Sequence, residues 1–168
     1  MDNQQSTKLS FGGEIQEAFM RRAIALSEES VKRGGGPFGA VIVKDGKIIA
    51  EGSNNVTLHN DPTAHAEVSA IRRACEQLHT FDLQGCDIYT SCEPCPMCLG
   101  AIYWAHIDRI FYANTKDDAA NIGFDDAFIY EEIDRPLSVR KKPATQLLRE
   151  EALRVFRMWE EDTEKTEY

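Results

Sequence analysis

The sequence predicts an α/β protein, a three-layer α/β/α sandwich with helices on both faces of a mixed sheet. Three observations predict it. Helical periodicity and short β-rich runs alternate along the chain, as they do when helices cover a sheet. A two-residue turn near position 45 joins two β-rich runs and demands antiparallel pairing. A strand, helix and strand within about 28 residues, from Cys86 to Ala113, demand a parallel crossover.

The elements follow in order. Ile15, Phe19, Ala23 and Leu26 recur at spacings of 4, 4 and 3, one face of a helix that Gly34-Gly35-Gly36-Pro37 ends. Phe38–Lys44 is β-rich, Asp45-Gly46 is a tight-turn pair and Lys47–Glu51 returns as the second arm of a hairpin. Ser53–Asn60 reads as a polar loop, and Asp61-Pro62-Thr63 as the start of a helix. Val68, Ile71, Cys75 and Leu78, spaced 3, 4 and 3, give that helix a buried stripe. Cys86–Thr90 is a short strand. Pro94 and Pro96 bracket a turn into a helix over Met97–Ala105, and Arg109–Ala113 is the next strand. Asp117–Tyr130 is expected to hold short helical turns. Gln146–Trp159 reads as a last amphipathic helix with Leu148, Val155 and Trp159 on one side. The expected organisation is a flexible tail over 1–13, one domain over 14–145, and a C-terminal helix and tail over 146–168.

Composition narrows the function classes. The 168 residues carry 28 acidic and 19 basic side chains, a formal charge of −9. That excess argues against tracking a phosphate backbone, which needs Lys and Arg to release counterions, and against docking on an anionic membrane. The residues before Gly13 lack the apolar stretch of a signal peptide. The uncharged run Pro94–Ile107, 14 residues long, is too short to span a bilayer. Five cysteines, three of them within seven residues, do not suit a secreted disulfide framework. A reducing, cytoplasmic setting with a metal or redox site fits better.

Two places carry the chemistry: His65-Ala66-Glu67 and Pro94-Cys95-Pro96-Met97-Cys98, each at a helix start. Alone, each is ambiguous. Residues two apart on a regular helix point about 200° from each other, so His65 and Glu67 share a site only at an irregular helix start. A lone C-x-x-C reads as zinc, as a redox dithiol or as two unrelated thiols. Together, H-x-E and P-C-x-x-C form the signature of zinc-dependent base deaminases. One imidazole and two thiolates leave zinc a fourth position for water. First-turn thiols feel the helix dipole, which favours thiolate. Glu67, which is not needed as a ligand, can move protons. A redox dithiol would leave His-Ala-Glu without a role, and a structural zinc site would need a fourth ligand, which Cys92 could supply.

Asp61–Glu67 together with Thr90–Ala101 resembles the cytidine deaminase-like superfamily of zinc-dependent deaminases. Gly36–Val43, Gly123-Phe124-Asp125-Asp126 and the terminal Glu167-Tyr168 are similar to its purine-acting branch, and most of all to the bacterial guanine deaminases. The likeness runs from about Ala18 to Tyr168. It implies a central five-stranded sheet and one zinc per subunit, held by His65, Cys95 and Cys98. It also implies conversion of guanine to xanthine and ammonia by hydroxide attack on C2, with Glu67 as proton shuttle. Asn54, Phe38, Ala66, Asp126 and Tyr168 are the implied substrate contacts: Asn54 bonds the purine, Phe38 walls the pocket, and Asp126 accepts N–H bonds. The implied assembly is a homodimer in which the C-terminal segment swaps, so that Tyr168 closes the partner's site.

Plainer readings stand beside these. Asn54 suits a turn, Asp125-Asp126 a helix cap, and Phe38 the core. Tyr168 on a bare terminus would ordinarily be disordered. Cys92 reads as a neighbour of the ligands, and Cys75 and Cys86 as buried core thiols. Rival functions are guanosine deamination, tRNA adenosine deamination and a non-enzymatic zinc-binding interaction module. The segment Glu150–Tyr168 holds seven acidic and three basic residues, a net of −4, which weighs against a tRNA surface.

Overall fold

The hairpin forms where Asp45 and Gly46 both take positive φ, 50° and 71°, the pairing that a right-twisted two-residue turn requires. It joins β1 (Gly39–Lys44) to β2 (Lys47–Ser53) in the computed structural model, which describes residues 3–168, with side chains from residue 13 onward. β3 (Cys86–Cys92) lies antiparallel on the other side of β1, and β4 (Arg109–Asn114) pairs parallel with β3. The sheet order is β2-β1-β3-β4. The described residues form four strands, not the expected five. After β4 the chain turns helical: Thr115 and Asp118 form a reciprocal capping box that starts α5 (Lys116–Asn121). No β-rich run follows.

Both faces of the sheet are covered, so β1 reads as a continuous apolar run. Its alternate residues serve different layers. Val41 and Val43 join Leu26 and Tyr89 beneath α1 (Asn3–Lys32), with Phe19 and Met20 packed against them. Ala40 and Ile42 join Ile88 on the opposite face beneath α3 (Ala66–Leu78) and α4 (Pro96–Trp104). Fully burying a side chain such as Ile42 or Ile88 is worth roughly 1.5–3 kcal/mol. The range of α1 begins upstream of Ile15, within the segment 1–13 expected as a tail. Its stop is Gly34, at φ +87°.

The starts of α3 and α4 position the site. α3 begins at Ala66, not at Asp61-Pro62-Thr63. The Asp61 carboxylate accepts from both the backbone N–H and the hydroxyl of Thr63, at 2.8 and 2.7 Å, and closes a local turn before the helix. Within Ser53–Asn60, expected as loop, a single turn α2 (Val56–His59) forms. The stripe of α3 that meets the sheet is Ala66, Ala70 and Ala74, flanked by half-buried Ile71, Cys75 and Leu78. Small residues let α3 lie close to β2: a Cβ on Gly52 would strike the Ala66 carbonyl oxygen. On the other face, a Cβ on Gly39 would strike the Ala23 carbonyl of α1. Pro96 sits in the first turn of α4, where its missing N–H costs nothing.

The chain divides into two compact units, Met1–Ala127 and Phe128–Tyr168. The second comprises most of α6 (Ala127–Asp134), a 3-10 turn at Leu137–Val139 and α7 (Arg149–Glu161). The expected segment 146–168 lies wholly within it. Arg140 donates to the Arg135 and Ile133 carbonyls at 2.9 Å each and satisfies the end of α6. Among the described residues, no helix is long and apolar enough to cross a membrane.

Candidate active site

Two helix starts converge on one point. His65 is the N-cap of α3 and Cys95 the N-cap of α4, both in extended backbone. Cys98 is the third helical residue of α4 and Glu67 the second of α3. Because His65 lies just outside the helix, the 200° separation that a regular helix would impose on H-x-E does not apply. The His65 Nδ1 atom lies 3.5 Å from the Cys95 sulfur and 3.5 Å from the Cys98 sulfur. A tetrahedral zinc with Zn–N near 2.1 Å and Zn–S near 2.3 Å separates N from S by about 3.6 Å. The three ligand atoms all fall within 4.8 Å of one another, so the triad fits zinc in both donor type and spacing.

Cys92 is not part of this cluster. Its sulfur contacts the Thr115 carbonyl oxygen at 3.6 Å, and burial pushes its thiol up to about 11. A fourth protein ligand from Cys92, the premise of the structural-zinc reading, is therefore missing among the described residues. Cys86 is fully buried, as expected, whereas Cys75 is only partly so.

Hydrogen bonding from the Cys98 thiol, and after it from His65, pulls the Cys95 thiol well below its usual range. The same contact holds the Cys98 proton in place, and His65 is raised chiefly by its bond to Cys95. Cys95 begins α4 and contacts His65 at the start of α3, so its sulfur lies at helix N-termini, where dipoles favour negative charge. Glu67 is 6% exposed. Burial raises its carboxyl, while the Cys98 thiol at 3.4 Å and the Thr90 hydroxyl at 3.1 Å hydrogen-bond to it. A buried carboxyl held in a fixed orientation beside the triad is placed to take up and release a proton.

Beside the triad lies a cavity of about 420 Å³, within the range of small-molecule sites. His65, Glu67 and Cys95 line it, together with three predicted substrate residues, Phe38, Asn54 and Asp126. Phe124, which periodicity did not single out, meets Phe38 edge-on with ring centroids 5.0 Å apart, so two aromatic rings wall one corner. Asp126 Oδ1 is buried with no hydrogen-bond partner. Burial, and after it the charge at Cys95, raises this carboxyl. Ala66 does not line the cavity: its side chain is in the α3–sheet core, which leaves only its backbone for any contact with a ligand. Tyr168 belongs to the second unit and is 72% exposed.

Residues 13–114 match the family described as cytidine and deoxycytidylate deaminase zinc-binding region. The chain is 59% identical over 153 residues to the guanine deaminase of Bacillus subtilis, covering 90% of this chain and 98% of that protein. The X-ray structure of the Bacillus subtilis guanine deaminase superimposes with a TM-score of 0.88 over the same shares of both chains. The tRNA-specific adenosine deaminase of Aquifex aeolicus is 40% identical over 98 residues, only 58% of this chain and 65% of that protein.

Proposed function

The chain belongs to the cytidine and deoxycytidylate deaminase zinc-binding family, and from that premise we propose that it hydrolyses guanine to xanthine and ammonia. One observation carries the choice of substrate class: the unpartnered Asp126 Oδ1 in the cavity wall. A buried carboxylate oxygen needs an N–H donor, and the amine and ring N–H edge of guanine supplies adjacent donors. The 59% identity to the Bacillus subtilis guanine deaminase, over 90% of this chain, supports the same reading.

His65, Cys95 and Cys98 would hold the zinc. When bound, zinc supplies Lewis-acid activation that makes water a competent nucleophile at neutral pH. Glu67 takes a proton from the attacking water and delivers it to the ring nitrogen beside C2. It then takes the second proton and delivers it to the exocyclic amine, which leaves as ammonia while C2 gains oxygen. Thr90 orients Glu67 for these transfers. Asp126 accepts N–H bonds from the base, Asn54 bonds its far edge, and Phe38 and Phe124 exclude water from the ring faces.

The reading extends to a cytoplasmic homodimer with an exchanged C-terminal segment. Five free cysteines support a reducing compartment. Exposed apolar side chains support association. In the second unit these include Leu147, Leu148 and Phe156, and in the first Tyr103 and Tyr112. The deciding experiment is ammonia release by purified protein from guanine, guanosine, adenine, cytosine and tRNA. Turnover of guanine above all others is the expected result. Preference for tRNA, or no turnover of any base, would overturn it.

A further inference from the structure

We propose that Gly36, with the Ser30–Gly35 cradle behind it, is a specificity-determining positioning element: it holds the Asn54 carboxamide with its NH2 toward the bound base. The inference rests on the reading of Asn54 as a base contact.

Asn54 is held at its backbone and at its amide oxygen. Its backbone N–H donates to the Phe38 carbonyl at 3.1 Å. Its carbonyl accepts from the Ser30 hydroxyl at 3.1 Å, and Ser30 is fully buried. Its Oδ1 accepts from the Val56 N–H at 3.2 Å. A backbone N–H only donates, so the atom facing Val56 is the amide oxygen, and the NH2 group is left for the cavity. The cavity thus offers donors at Asn54 and an acceptor at Asp126, a polarity that distinguishes one ring orientation from its flip.

Gly35 and Gly36 are what allow this packing. Gly34, at φ +87°, is a glycine because its backbone conformation requires one. Gly35 and Gly36 have no φ in that region, so their glycine identity needs another reason. A Cβ on Gly36 would lie 2.9 Å from Asn54 Cγ, 3.1 Å from Oδ1 and 3.2 Å from Nδ2, against the plane of the amide. A Cβ on Gly35 would lie 2.5 Å from the Asn54 carbonyl oxygen and 2.5 Å from the Ser30 hydroxyl. Neither position tolerates a side chain unless Asn54 moves. Gly36 itself lines the cavity.

The test is a double-mutant cycle between Gly36→Ala and Asn54→Ala, read in guanine kinetics, zinc content and Tm. Gly36→Ala alone should raise KM for guanine about tenfold, the worth of one displaced hydrogen bond, with kcat changed less than threefold and zinc content unchanged. In the Asn54→Ala background, Gly36→Ala should change KM less than twofold, because the group it displaces is gone. An equal effect in both backgrounds, or no effect in the wild-type background, overturns the inference. Wild-type kinetics in Asn54→Ala alone would instead overturn the base-contact reading, so the two failures are distinguishable. If Gly36→Ala does not fold, Ser30→Ala enters the same cycle. It removes the bond to the Asn54 carbonyl, and its KM effect should likewise vanish without the carboxamide.

Discussion

Asp126→Asn separates substrate recognition from stability. The substitution preserves shape and removes the charge from Oδ1, a buried atom that no protein group satisfies. A hydrogen bond to a charged group is worth about 1.5–3 kcal/mol, and each 1.36 kcal/mol is tenfold in rate. kcat/KM for guanine should therefore fall roughly 10- to 150-fold. The free protein loses no hydrogen bond at that atom and sheds the cost of an unpaired buried charge, so Tm should hold or rise. Steady-state ammonia release and thermal melts, both on zinc-loaded protein, measure the two sides. A kcat/KM within threefold of wild type would refute the role given to Asp126. A fall in Tm alongside the fall in activity would show the carboxylate to be structural.

Other consequences are equally direct. Cys95→Ala should lose zinc by metal analysis and activity with it, whereas Glu67→Gln should keep zinc and lose about 10²- to 10⁴-fold in kcat. Full zinc content in Cys95→Ala would refute the ligand set. Cys92→Ser should retain the full metal content, since its sulfur faces Thr115; a loss of zinc would make Cys92 a ligand. The two-pronged pair between Arg22 and Glu51, 2.7 Å at each prong, holds the Glu51 carboxyl below its ordinary 4.5. A lowered folded pKa gives stability that is present above the unfolded value and lost as pH falls through the folded one. Both side chains are 36% exposed, so the pair is worth only about 0.5–1 kcal/mol. Wild type should lose that amount below pH 4.5, and Glu51→Gln should not, in urea unfolding repeated from pH 6 to pH 3.

The zinc triad was legible because residue type and spacing suffice when two weak motifs constrain each other. The hairpin and the parallel β3–β4 pair were legible because turn chemistry and strand spacing are local. Other features depend on what only the folded chain brings together. Asp61 looks like a helix cap until Thr63 takes its carboxylate. The Ala66, Ala70 and Ala74 stripe carries little hydropathy, so the larger Ile71 and Leu78 beside it dominate the periodicity. Phe124 sits in a segment without a period, and its place in the cavity follows from Phe38 more than eighty residues earlier. The expected fifth strand came from likeness alone, and the capping box at Thr115 sends that part of the chain into helix.

The two helices that meet at the site forgo the usual protection of their first turns. Neither the His65 nor the Cys95 side chain bonds the amides of the helix it begins. A polar cap side chain at such a position is ordinarily worth about 1 kcal/mol. Fraying of the opening turns should therefore depend on occupancy of the triad. Hydrogen exchange at the amides of Val68, Ser69, Cys98 and Leu99 should slow when zinc is added and quicken under a chelator, well before the sheet amides of Val41 and Ile88 respond. The metal would then regulate which part of the protein opens first, as well as supplying its chemistry.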